Sequence, residues 1–192
     1  MSERLVHLVR HGPPLRPGLL HGHGDEPPAD PAGGVTHAVP DSFAIMTVTC
    51  SDLLRARAGA ETLARARGMT AKADRRWREL DFGGWDGADP DSVDAESLAR
   101  FWNDPEAHPP PGGENWSAIT SRVGAALADL PPDALVVTHA GAMRAAISVL
   151  TGLDFRQVWA VDLPYGALLS LRIWPGTPLS GQIVGLRASG AG

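Results

Sequence analysis

Arg10-His11-Gly12 sets a cation, an imidazole and an unhindered backbone at consecutive positions of the chain. Such a trio suits phosphate: imidazole can act as nucleophile or base, and arginine matches phosphate oxygens with a planar fork of donors. Two further groups strengthen the pattern. Ser51 is followed four residues later by Arg55, and His139 is followed by Ala140-Gly141 with Arg144 one turn on. A carboxylate, Glu79, stands between them in Trp77-Arg78-Glu79-Leu80-Asp81-Phe82-Gly83, where it could serve as acid and base. Taken singly, each residue has an ordinary reading. Arg55 and Arg57 alone would be a solvated helix face, Glu79 a surface carboxylate, and either histidine a polar rim residue. The ordered set points to chemistry on a phosphate.

Bringing these groups together requires particular elements. Leu5 to Val9 is a short apolar run that reads as a buried strand ending at Arg10. Residues from 13 to about 42 are rich in Gly, Pro, His and Asp without a sustained period, and predict a long functional loop. Ile45–Thr49 predicts a second strand, and Ser51 a helix cap for a helix running to about Arg67, with Leu53, Ala56, Ala60, Leu63 and Ala64 on its apolar face. Lys72–Asp74 reads as a short strand, and 77–91 as irregular. Leu98, Phe101 and Trp102 mark a short helix; Trp116, Ile119, Val123, Ala126, Leu127 and Leu130 mark a longer one. Ala134–Thr138 is a buried-type strand delivering His139, and Met143, Ala146, Ile147 and Leu150 lie on the helix that follows. Ala167–Ile173 and Ile183–Leu186 read as further strands, and the tail from Ala188 as frayed. The alternation predicts one α/β domain over residues 1–192 with a mainly parallel sheet, whose ligands bind at the carboxyl ends of the strands.

Composition narrows the partners. A net charge of -5 without a basic tract argues against nucleic acid, and no apolar stretch is long enough to cross a bilayer. The single cysteine, Cys50, excludes an intramolecular disulfide and reads as a buried structural thiol of a reducing compartment. The N-terminus lacks a signal-peptide pattern, so a cytoplasmic location is expected. His21, His23 and Asp25 invite a metal reading, but three ligands on one loop without another anchor are weak evidence, and neither metal nor cofactor is expected. The tryptophans at 77, 85, 102 and 116 read first as core or rim packing.

In these motifs the sequence resembles the histidine phosphatase superfamily, with its phosphoglycerate mutase-like fold. Leu8-Val9-Arg10-His11-Gly12, Cys50-Ser51-Asp52-Leu53-Leu54-Arg55, Glu79-Leu80-Asp81-Phe82-Gly83, Pro111-Gly112-Gly113-Glu114-Asn115 and Val137-Thr138-His139-Ala140-Gly141 are similar to its motifs and stand in its order. The resemblance implies a three-layer α/β/α sandwich. It also implies catalysis by His11, Glu79, His139, Arg10 and Arg55, with Gly12 and Ala140 joining Arg10, Arg55 and His139 around a small phosphorylated substrate. Arg16 and His23 are candidates for its organic part. The implied reaction is hydrolysis through a phosphohistidine on His11; mutase-type transfer, or silent binding of a phosphorylated ligand, are the other readings, and a homodimer is left open. Pro14 and Pro17 stand where the family often has Thr and Asn, so mutase activity is less expected; Gly59 stands where Thr is common in the second motif. The Gly-Pro opening after His11 is similar to the alpha-ribazole phosphatase branch.

Overall fold

A computed structural model describes residues 3–35 and 37–188; part of the tail read as frayed, 189–192, lies outside the described residues. Strand β1 (Arg4–Arg10) is central and buried, but its pleat differs from the expected run at one end. Leu5 faces solvent, while Arg4 is buried because its guanidinium donates to the carbonyls of Ala128 (3.0 Å) and Leu130 (2.6 Å). The other strands are β2 (Thr47–Cys50), β3 (Ala71–Ala73), β4 (Ala134–Thr138), β5 (Leu168–Trp174) and β6 (Ser180–Arg187). They form one sheet in the order β3-β2-β4-β1-β5-β6. The β3-β2, β2-β4 and β4-β1 pairings are parallel, whereas β5 and β6 add antiparallel. The sheet is therefore mixed, parallel where the site lies.

Alternation along the strands divides the core between two faces. Val6, Leu8 and Val136 pack against helices α3 (Trp116–Asp129) and α4 (Ala140–Thr151). Val9, Val48, Cys50 and Val137 pack against α1 (Leu54–Ala66) and against Val35 and Val39 of the long loop. Helix on sheet on helix gives the three expected layers. Two smaller helices, α2 (Ala95–Asn103) and α5 (Phe155–Val158), complete the set with α2 near its expected place; α5 has too few residues to show a period.

The start of α1 corrects one expectation. Ser51 does not cap the helix: the N-cap is Leu53, which provides no side-chain cap. Among the described residues the hydroxyl of Ser51 accepts from Leu53 N at 3.3 Å, before the helix begins. Instead Asp25, in the long loop, accepts the N–H of Leu54 at 2.5 Å. A carboxylate near the positive end of the helix is favourable on the usual dipole grounds, and here it also ties the loop to α1.

Glycines let the same loop lie close to α1. Gly12 N donates to Gly33 O at 3.2 Å, and a Cβ on Gly33 would fall 2.2 Å from Gly59 N. Gly33 also sits at φ 81°, a region glycine occupies without steric cost. Gly59, the departure noted in the second motif, leaves room for Val35: a Cβ there would approach Val35 Cγ2 to 2.6 Å. Replacing Asp25 with alanine should lower stability by about 1 kcal/mol, the usual worth of a helix cap. A urea midpoint unchanged in Asp25→Ala would contradict this capping role.

Candidate active site

Register brings the two histidines together. In the parallel β1–β4 pair Arg10 lies opposite Thr138, so the residues that follow, His11 and His139, leave neighbouring strands side by side. Their ring centroids are 4.9 Å apart, edge to face. Both histidines thus stand at strand ends as expected of a parallel sheet, although only His11 lines the cleft there and His139 is fully buried beside it.

His11 is buried, and its Nδ1 lies 2.6 Å from the carbonyl of Gly12. A carbonyl can only accept, so Nδ1 carries the proton and Nε2 keeps a lone pair. Burial, then the Arg55 charge, hold the His11 pKa well below 6.5, outweighing the opposing Gly12 hydrogen bond; Arg10 and His21 depress it further. His139 is fully buried, and neither ring nitrogen has a hydrogen-bond partner among the described residues. Burial first, then Arg55 and His11, hold its pKa low as well. Both imidazoles are thereby favoured in the neutral form.

The arginines are fixed by carbonyls rather than carboxylates. Arg55, in the first turn of α1, is fully buried and donates to Gly24 O (2.8 Å), Gly22 O (2.7 Å) and His21 O (3.3 Å). Burial lowers its pKa, opposed by Glu79 and Asp86. Asp86 in turn accepts from the N–H groups of Gly22 and Gly24, so the 21–24 turn is strapped from both sides. Arg10 donates to Leu163 O at 2.7 Å and stacks 3.9 Å from the Tyr165 ring centroid. The Nε atoms of Arg10 and Arg55 are buried without a partner among the described residues.

Glu79 stands beside this cluster. Its carboxylate accepts from Leu80 N (2.9 Å) and Gly141 N (3.2 Å), the latter in the first turn of α4 after Ala140. A side chain at Gly141 would collide with Glu79 Oε1, so glycine is needed for the acid to reach the helix start. Arg10, His11, Arg55 and Glu79 line one cleft of about 140 Å³ with Leu19, Leu20, His21, Phe82 and Tyr165. A hollow of about 640 Å³ opens along β2 and β3 toward the end of α3, but it contains none of these groups. Chemistry rather than size identifies the smaller cleft as the candidate site.

Other expected residues occupy different roles. Arg16 is exposed and paired with Glu26 at 2.7 Å, outside the cleft around His11. His23 places Nε2 3.0 Å from the carbonyl of Glu79 and Nδ1 3.4 Å from Asp81, behind the acid rather than in the cleft. Pro14 is buried in a bridge with Pro28. His21, His23 and Asp25 engage Arg16 O, Glu79 O and Leu54 N respectively, and no three-residue metal-type cluster occurs among the described residues. Burial pushes the Cys50 thiol up to about 12, which keeps it protonated. Trp77 is buried, and Trp85, Trp102 and Trp116 stack on Phe101 or Phe155; the cleft aromatics are Phe82 and Tyr165. Tyr165 escaped the sequence reading because only the return of β5 beside β1 brings it to His11, 5.6 Å between centroids.

The neutral histidines have a consequence for folding. With His11 and His139 held below 6.5, the unfolded chain takes up protons at these sites before the folded one as pH falls. Their stabilising contribution is therefore present above the ordinary histidine range and is lost on acidification. Tm should drop between about pH 7.5 and about 5.5, and His139→Gln should flatten that slope. An unaltered slope in the variant would contradict a buried neutral imidazole at this position.

Comparison with known proteins identifies the family and the fold. Residues 6–183 match the model of the histidine phosphatase superfamily, branch 1. The chain is 32% identical over 170 residues to "Probable phosphoglycerate mutase GpmB" of Salmonella choleraesuis strain SC-B67, covering 81% of this chain and 77% of the relative. Among solved structures, "Mycobacterial hydrolase 1" superposes with a TM-score of 0.85 at 22% identity, covering 98% of this chain and all of the other, a likeness of fold. A "putative alpha-ribazole-5'-P phosphatase" of Escherichia coli K-12 gives 0.79 at 25% identity, with both chains fully covered. No helix among the described residues is long and apolar enough to cross a membrane. On its motifs, its fold and a family match spanning most of its length, the chain belongs to the histidine phosphatase superfamily.

Proposed function

We propose that the protein is a metal-independent phosphomonoesterase that hydrolyses a small phosphorylated metabolite through a phosphohistidine on His11. The observation that carries this reading is the His11 ring itself: buried, its Nδ1 committed to Gly12 O, and flanked by Arg55 and Arg10. In the first step Nε2 attacks phosphorus in line, an Nε2–P bond forms and the P–O bond to the alcohol breaks. Glu79, as general acid, gives a proton to the departing oxygen. In the second step water attacks phosphorus, Glu79 takes the water proton, and the P–N bond breaks to release inorganic phosphate and restore neutral His11.

Arg10, Arg55 and His139 are assigned to the equatorial oxygens, where fixed donors stabilise charge in the transition state without solvent reorganisation. The Ala140 backbone N–H is assigned to the same surround, whereas Gly12 gives its N–H to Gly33 O and accepts from His11 at its carbonyl, and so acts by positioning the ring. The two guanidinium groups, Arg10 and Arg55, fill the role that a divalent ion has in other phosphoryl-transfer enzymes. His21, Phe82 and Tyr165 are the nearest candidates for the organic part of the substrate. Arg16 and His23 are better read as scaffold, because Glu26 and Glu79 O already engage them. A cytoplasmic substrate fits the lone Cys50.

A second reading, phosphoglycerate mutase-type transfer, draws on the name of the Salmonella relative. The resemblance places Thr and Asn where this chain has Pro14 and Pro17, so two side chains able to hydrogen-bond are missing, and water must be excluded for transfer to outrun hydrolysis. Turnover of p-nitrophenyl phosphate should persist in EDTA and fall to background in His11→Ala. A panel of alpha-ribazole phosphate, sugar phosphates and phosphoglycerates should yield free phosphate rather than isomerised product. Full activity in His11→Ala, loss of turnover with EDTA, or isomerisation without phosphate release would each overturn the reading.

A further inference from the structure

The carboxylate of Glu79 is held by two backbone N–H groups, so its position depends on where its own main chain lies. That main chain is irregular, between the short 3-10 turns Arg75–Trp77 and Gly83–Trp85. Such a segment has no ladder or helix of its own to satisfy its carbonyls or to hold the acid still.

One side chain from another layer does both. Arg122, on α3, directs Nη1 to Arg76 O (2.8 Å) and Arg78 O (2.7 Å), and Nη2 to Glu79 O (2.7 Å). Its remaining donors go to Glu114, Nε to Oε1 at 2.8 Å and Nη2 to Oε2 at 2.7 Å. All five guanidinium N–H groups are thereby used. Glu114 Oε2 also accepts from Asp81 N at 3.1 Å, closing the clamp two residues past the acid. Three main-chain carbonyls and one main-chain N–H of the 76–81 segment thus meet a single ion pair, with Glu79 O shared with His23 Nε2. The pair is largely shielded, with side-chain exposures of 17% and 20%.

We propose that Arg122 and Glu114 are positioning residues that set the reach of Glu79 toward the leaving oxygen. This rests on the reading of Glu79 as proton donor. The fork geometry is essential: lysine offers three donors on a flexible stem and cannot serve the three carbonyls and the carboxylate together. Displacing a proton donor by about an ångström is enough to cost a large factor in rate.

The test separates positioning from support of the fold by varying the leaving group. p-Nitrophenolate departs from phosphorus near neutral pH with little need of a proton, whereas the alkoxide of β-glycerophosphate requires one. The parameter kcat/KM reports the steps through phosphoenzyme formation and alcohol release, before water attacks. Arg122→Lys should lower the ratio of kcat/KM for β-glycerophosphate to that for p-nitrophenyl phosphate by about 10-fold or more, in the direction of Glu79→Gln. Glu114→Gln should shift the ratio the same way, and decides the matter if Arg122→Lys does not fold by circular dichroism. An equal fall on both substrates, or no fall, in folded variants overturns the clamp while Glu79→Gln remains selective. A Glu79→Gln variant that loses both substrates equally overturns the proton-donor reading, and the clamp with it.

Discussion

The hydrogen bond between His11 Nδ1 and its neighbour's carbonyl, 2.6 Å long, is the constraint on which the site depends. It fixes the tautomer and the ring plane together, and leaves Nε2 as the basic atom. Around it the fold gathers positive charge while keeping the imidazole neutral. Arg55 is fully buried and Arg10 packs on Tyr165, and both lower the proton affinity of His11. Burying guanidinium groups is costly unless their donors are met. Carbonyls from residues 21–24 and Leu163 meet part of that need without neutralising the charge, as a carboxylate would.

This explains why so long an irregular segment persists in so small a domain. The loop after His11 is bound to the sheet and α1 at several points. Asp25 caps α1, Gly33 lies against Gly59, and Asp86 holds the N–H groups of Gly22 and Gly24. Each contact uses backbone or a short polar side chain, which accounts for the glycine-rich composition. His21 and His23, which look like a ligand pair in the sequence, are drawn apart: one lines the cleft and the other lies against Glu79 O.

Much of the architecture was legible because strand ends carry both pattern and chemistry. Val6, Leu8 and Val136 announce buried strands, and the parallel register then brings His11 and His139 together. The apolar face of α1 was readable through Ala56, Ala60 and Leu63 for the same reason. Partnerships between distant polar groups were not. Nothing local links Asp25 to Leu54, Arg122 to Glu79, or Tyr165 to His11; each depends on how loops and layers close in space. Ser51 shows the converse error, since a residue with good capping chemistry stands two positions before the actual cap. The motif around Glu114 could be noticed as a pattern, but its structural role required α3 to be in place.

If the Gly12 carbonyl commits Nδ1, the phosphoryl group can form its bond only with Nε2 of His11. Acid-free rapid quench after mixing with substrate, followed by NMR assignment of the phosphorylated ring nitrogen in the denatured chain, addresses this directly. Phosphate on Nε2 of His11 is the expected result. Phosphate on Nδ1, or on any other residue, would contradict it.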